Sequence, residues 1–82
     1  MLDKQTITLT DIRVPVKRAR TLDAAKVDVI AEDMLENGQT TPIQVRKDGT
    51  GFILVEGLHR LHAMRALGET EITAYLVRAR LH

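Results

Sequence analysis

Apolar residues along this chain keep two different periods. Ile7 and Leu9 alternate with threonines, the period-two pattern of a strand with one buried face. The apolar phase slips at Thr10-Asp11, because Ile12, Val14 and Val16 fall on the opposite parity. A turn or bulge there would re-aim the chain. Pro15 has no N–H to give to a ladder, so this part reads as an edge strand or extended arm. From Thr21 the period becomes helical. Ala24, Val27, Ile30, Ala31, Met34 and Leu35 recur along one face of a helix that Thr21 or Asp23 can cap and Gly38 can end. Pro42 to Arg46 predicts a strand with Ile43 and Val45 inward, and Asp48-Gly49 a turn into a second strand, Phe52 to Val55. That strand is apolar at every position, which predicts burial on both faces. Leu58, Leu61, Met64 and Leu67 repeat at spacing three beside Ala63 and Ala66, predicting a second helix that stops at Gly68. Ile72 to Val77 is the last predicted strand. The order β-α-β-β-α-β predicts a compact α+β domain spanning residues 1–82.

Composition narrows the chemistry. With 82 residues the chain suits one small domain, whose stability margin is thin. It has no cysteine, so disulfides, thiol catalysis and cysteine-type zinc sites are excluded. It has no serine either, hence no serine nucleophile elbow. The net charge of +1 gives no bulk argument for nucleic acid, and Phe52 and Tyr75 are too few aromatics for a base-stacking platform. No apolar run approaches a membrane span, and MLDKQTITLT lacks a signal-peptide core. These features read as a soluble, cytoplasmic protein with no membrane partner.

The candidate chemistry gathers in VEGLHRLHAMRALG, residues 55–68. Here a predicted strand turns at Gly57 into the first turn of a helix that carries His59 and Arg60. The first N–H groups of a helix have no internal partner, and the peptide dipoles add about half a positive charge, so this end favours an anion. Gly57 lets a phosphate approach the backbone, Arg60 can fork onto its oxygens, and His59 can donate a further hydrogen bond. The alternative is that Arg60 pairs with Glu56 or points into water. KRAR, residues 17–20, reads either as a solvated connection or as arginines reaching a phosphate. His59 and His62 stand three apart on the helix, but a zinc site needs a third protein ligand that no nearby cysteine or histidine supplies, so no metal is expected. Glu32, Asp33 and Glu36 read as the solvated face of the first helix.

The ordered segments LDAAKV, TPIQV, ILVEGLHRLHAMRALG and ITAYLV resemble the ParB/sulfiredoxin superfamily, from about Ile7 to Val77. The resemblance implies a small α+β domain that binds a nucleotide of the ATP or CTP class, with or without magnesium. Its phosphates would sit at Gly57, the Leu58 backbone, His59 and Arg60. Lys26 matches a sulfiredoxin lysine that reaches the nucleotide, and Thr41 and Pro42 match a segment beside the phosphates in ParB-type members. Leu58 departs from the pattern. Sulfiredoxins keep their catalytic cysteine at this position, and ParB proteins keep a glutamate associated with metal and triphosphate chemistry. Sulfinic-acid reduction is therefore excluded, and CTP hydrolysis is not carried over. ParB chains continue into a helix-turn-helix domain and a dimerisation domain. The sequence ends at His82, so centromere-type DNA recognition is not carried over either.

Three functions follow as expectations. The first is a stand-alone ParB-like nucleotide-binding module, regulatory or linked to DNA partition and maintenance, whose partners include DNA or a DNA-binding protein; a homodimer is left open. The second is a phosphotransferase or nuclease of the same superfamily, with Glu56 the candidate catalytic residue and Asp33 the other available acid. The third is a DNA-binding module using KRAR, Arg46, Lys47, Arg60 and Arg65, which requires those residues to share a face.

Overall fold

The computed structural model describes residues 3–78. Strand β1, Asp3–Thr8, runs into a 3-10 turn at Leu9–Asp11, which is the phase slip expected at Thr10-Asp11. The short strand β2, Ile12–Arg13, follows, and then a single helical turn, α1, Val16–Ala19. Helix α2 spans Ala24–Asn37, and β3, Ile43–Asp48, turns into β4, Gly51–Glu56. Helix α3, Leu58–Ala66, leads to β5, Glu71–Leu76. The five strands form one sheet in the order β1-β5-β3-β4-β2. The β1/β5 and β3/β4 pairs are antiparallel, and the β3/β5 and β2/β4 pairs are parallel. The fold is α+β, with helices and sheet sharing one core.

That core explains the chain's two periods. Ile7, Ile43, Val45, Leu54, Ile72 and Ala74 come from one face of the sheet, and Met34, Leu58, Leu61, Ala63 and Met64 from the helices. Leu61 and Ile43 are fully buried. Burying one such side chain contributes about 1.5–3 kcal/mol, so spacing three on α3 is a strong constraint. Asp23 caps α2, its Oδ1 accepting a hydrogen bond from Ala25 N–H at 3.0 Å, and Gly38 ends the helix at φ 71°. Ahead of β3 the Gln39 side chain imitates a strand. Its Nε2 donates to the Thr73 carbonyl and its Oε1 accepts from Thr73 N–H, both at 2.9 Å.

Several expectations need correction. Leu35 was placed on the packed face of the first helix, but it is 73 % exposed. Its position lies about a quarter-turn from the Val27–Ile30–Met34 stripe, beyond the reach of the sheet. Burial of β4 on both faces holds at Ile53 and Leu54 but not at Phe52 and Val55, which are half-buried. The helices cover only the Leu54 side. Ile53 lies on the other side, flanked in register by Arg13 and Arg46, whose long stems can cover apolar surface. KRAR is not a plain connection, because residues 16–19 form the helical turn that Pro15 opens. The pre-set φ of proline suits the start of a helix as well as an extended arm. Val16 at its head is 69 % exposed.

Candidate functional site

The strand-to-helix turn is built around Gly57. Its φ of 105° and ψ of 34° are left-handed, and a Cβ placed there would come 2.6 Å from Ile43 Cγ2. Only glycine meets both conditions without strain. The tight contact seats the turn directly on β3. The first helical bond of α3 runs from Leu61 N–H to the Gly57 carbonyl at 3.0 Å. The N–H groups of Leu58, His59 and Arg60 precede it. No side chain caps this end, and its first turn holds no acid. Within α3 itself nothing compensates the partial positive charge of this terminus.

A cleft of ≈ 300 Å³ opens at this terminus, lined by Arg18, Thr21, Ile30, Glu56, Gly57, Leu58, His59 and Arg60. Three elements bring these residues together: α1 with the turn after it, the middle of α2, and the β4–α3 junction. Arg60 is half-buried and has no carboxylate within ion-pair distance among the described residues. Glu56 pairs instead with Arg18 across the cleft, at 3.5 Å, so the alternative of an Arg60–Glu56 pair is not what the fold adopts. The cause is a β-bulge. Val45 faces Leu54 and Gln44 faces Glu56, which leaves Val55 as the extra residue and re-aims the end of β4. His59 Nε2 accepts a hydrogen bond from Asp23 N–H at 3.0 Å. Nε2 acts here as the acceptor, which leaves Nδ1 as the ring nitrogen able to donate. This bond ties the start of α2 to the start of α3.

Of the expected site residues, Lys26, Thr41 and Pro42 do not line this cleft. Lys26 borders a shallower, apolar depression of ≈ 310 Å³ with Ala25, Val29, Ile30 and His59. Ile30 and His59 are walls of both hollows. Thr41 and Pro42 lead into Ile43, the residue beneath Gly57. Leu58 is buried in the core, leaving only its backbone for the site. Asp33 is exposed, accepts a hydrogen bond from Asn37 Nδ2 at 2.9 Å, and does not line the cleft. Among the described residues no three His, Cys, Asp or Glu side chains gather as a metal group. Thr21 had been weighed only as a helix cap and Ile30 only as core. Arg18 belongs to KRAR, whose arginines the sequence left open as phosphate contacts; the Pro15-Val16-Lys17-Arg18 order, a proline opening one helical turn just before the α2 cap, is the signal that singles it out.

The neighbouring His62 titrates below the ordinary histidine value of 6.5, chiefly because burial penalises its charged form, with Arg65 and then His59 adding repulsion. The unfolded chain then takes the proton more readily than the folded one. Stability is thus unaffected by this group above pH 6.5 and falls as pH drops below it. Urea unfolding midpoints should decrease between about pH 7 and about pH 5, and the decrease should be smaller in His62→Gln. An identical decrease in both proteins would assign the acid sensitivity elsewhere.

Comparisons with known proteins agree with this fold. The ParB N-terminal domain family matches residues 2–81. The probable chromosome-partitioning protein ParB of Campylobacter jejuni is 37% identical over 62 residues, which is 76% of this chain and 22% of that protein. The chain thus spans about a fifth of the length of this relative. Sulfiredoxin from Arabidopsis thaliana superposes with a TM-score of 0.83 at 26% identity, over 94% of this chain and 86% of that one. A C-terminally truncated ParB from Caulobacter crescentus, complexed with CTP-gamma-S, superposes at 0.81 with 17% identity, over 95% of this chain and 46% of that one. A free serine kinase in complex with AMP superposes at 0.79 with 18% identity, over 93% and 31%. The last two likenesses concern the fold alone. The family match extends over almost the whole sequence and includes the Gly57–Arg60 turn, and the chain belongs to the ParB N-terminal domain family.

Proposed function

We propose that this ParB-family domain is a nucleotide-binding module that holds its ligand's phosphates in the cleft at the start of α3. The observation that carries the reading is the uncapped α3 terminus, packed on Ile43 through Gly57, carrying Arg60 and sharing one cleft with Arg18. The Leu58, His59 and Arg60 N–H groups and the His59 Nδ1–H would donate to phosphate oxygens, with Arg60 adding a two-pronged fork. Lys26 and the apolar depression beside it would meet the rest of the nucleotide, and Thr41 and Pro42 would back the turn. CTP-gamma-S in a ParB and AMP in a kinase of the same fold support the ligand class. In a longer partition protein, such a module would make DNA handling depend on ligand.

The basic residues do not favour direct DNA binding. Arg18 and Arg60 line the cleft, Arg46 lies on the open face of the sheet, and Lys47 stands 5.3 Å from the Phe52 ring at the far end of β3. They form no single stripe. Hydrolysis is not favoured either. Breaking a phosphoanhydride needs a metal or a positioned base at the reacting group. Leu58 is turned into the core, and Glu56 is an exposed side chain that among the described residues pairs with Arg18 alone, so it is not a positioned base. Groups that hold ground and transition states equally give affinity without rate.

Calorimetric titration with AMP, CTP and ATP, with and without magnesium, should show saturable one-to-one binding for at least one of them. Heat of dilution alone for all three would end the nucleotide reading. In a phosphate-release assay the wild type should stay at background. Robust turnover that disappears in Glu56→Ala would make the domain an enzyme.

A further inference from the structure

Among the described residues Glu56 is the only carboxylate in the cleft lining, whose charged side chains are otherwise the cations Arg18 and Arg60. The bulge at Val55 brings it opposite Gln44, and from there it reaches Arg18 at 3.5 Å. The side chains of Arg18 and Glu56 are 39 % and 62 % exposed. A pair this wet contributes little to stability and exchanges readily. It also matters to how α1 is held. Helix α1 has no buried residue, and Val16 and Leu22 on this arm are exposed. Among the described residues the Arg18–Glu56 pair and the Asp23–His59 hydrogen bond are the side-chain ties from the arm and α2 start to the β4–α3 junction.

From this placement we infer that Glu56 is a charge gate, an internal competitor that any anion entering the cleft must displace from Arg18. The inference rests on the nucleotide reading for its ligand and deepens it by naming what selects among ligands. An entering phosphate takes over the Arg18 guanidinium and leaves the Glu56 carboxylate beside it. Like charges at short range repel in proportion to the charge brought in. Glu56 therefore discriminates most strongly against free polyphosphates and least against a monophosphate. Its removal leaves Arg18, Arg60 and the helix terminus unopposed.

The test is calorimetry of wild type and Glu56→Gln against AMP, ADP, ATP and inorganic pyrophosphate, in EDTA. Glutamine keeps the size and loses the charge, and the exposure of Glu56 leaves the fold intact, which the melting temperature checks. Glu56→Gln should bind every member of the series more tightly. The gain should grow from about twofold for AMP to about tenfold for ATP, the span expected of one partly screened charge. A uniform gain would overturn the selectivity. A Glu56→Gln protein that binds no member more tightly than wild type would overturn the gate, whether or not the wild type binds. Tighter binding of pyrophosphate alone, with no nucleotide bound by either protein, would keep the gate and remove the nucleotide reading.

Discussion

Gly57→Ala is expected to cost the domain about 2–5 kcal/mol of stability and to abolish the cleft's affinity for phosphate. Two separate penalties add. A left-handed backbone costs an L-residue about 1–2 kcal/mol, and the φ of 105° lies outside what an alanine adopts comfortably. The new methyl would also sit 2.6 Å from Ile43 Cγ2. Ile43 is fully buried and cannot step aside without disturbing β3. The turn must therefore lift off the sheet, carrying the first N–H groups of α3 with it. Gly68→Ala separates the two terms. Gly68 also has a positive φ, 75°, but a Cβ there meets nothing within 4 Å. It should lose only the dihedral part. Urea unfolding of both variants gives the comparison, and an equal loss in the two would show that contact with Ile43 does not hold the turn.

The same residue shows how far the sequence could be read. A glycine between an apolar strand and an amphipathic stretch marks the strand–turn–helix junction that the fold forms, while local chemistry left open whether His59 and Arg60 meet an anion there. The α2 stripe, the Asp48-Gly49 turn and the spacing of Leu58, Leu61 and Met64 were legible for the same reason, since each is a local rule applied to neighbouring residues. What escaped was long-range. Nothing in KRAR announces that Arg18 will meet Glu56, 38 positions later, because that depends on α1 folding back over the β4–α3 junction and on the bulge at Val55. A periodic pattern also cannot tell which residue of a strand will slip register. Leu35 misled for a related reason. Its period was helical, but a helix crossing a five-stranded sheet buries a stripe narrower than its apolar residues span. The capping bond from Asp23 N–H to His59 lies in the same class, a contact between two helix starts that only the fold brings together.

Arg60→Ala is expected to weaken nucleotide binding about 10- to 150-fold, because a hydrogen bond to a charged group is worth about 1.5–3 kcal/mol. Arg60 lies in the first turn of α3, where a cation is unfavourable by a few tenths to about 1 kcal/mol unless an anion meets it. Among the described residues no carboxylate does so, since Glu56 is taken by Arg18. The substitution should therefore leave the free domain's stability within about 1 kcal/mol of wild type, or raise it slightly, while removing the proposed phosphate anchor. Thermal unfolding separates these effects. Nucleotide at about a hundredfold over its dissociation constant should stabilise wild type by about 2.7 kcal/mol, and at the same concentration should stabilise Arg60→Ala by only about 0.3–1.4 kcal/mol. Arg60→Lys should fall between the two, because an ammonium keeps the charge but cannot form the planar fork. An Arg60→Ala protein that binds as tightly as wild type would move the phosphates away from the start of α3. A variant that loses its own stability as well as its ligand would make Arg60 a structural residue instead.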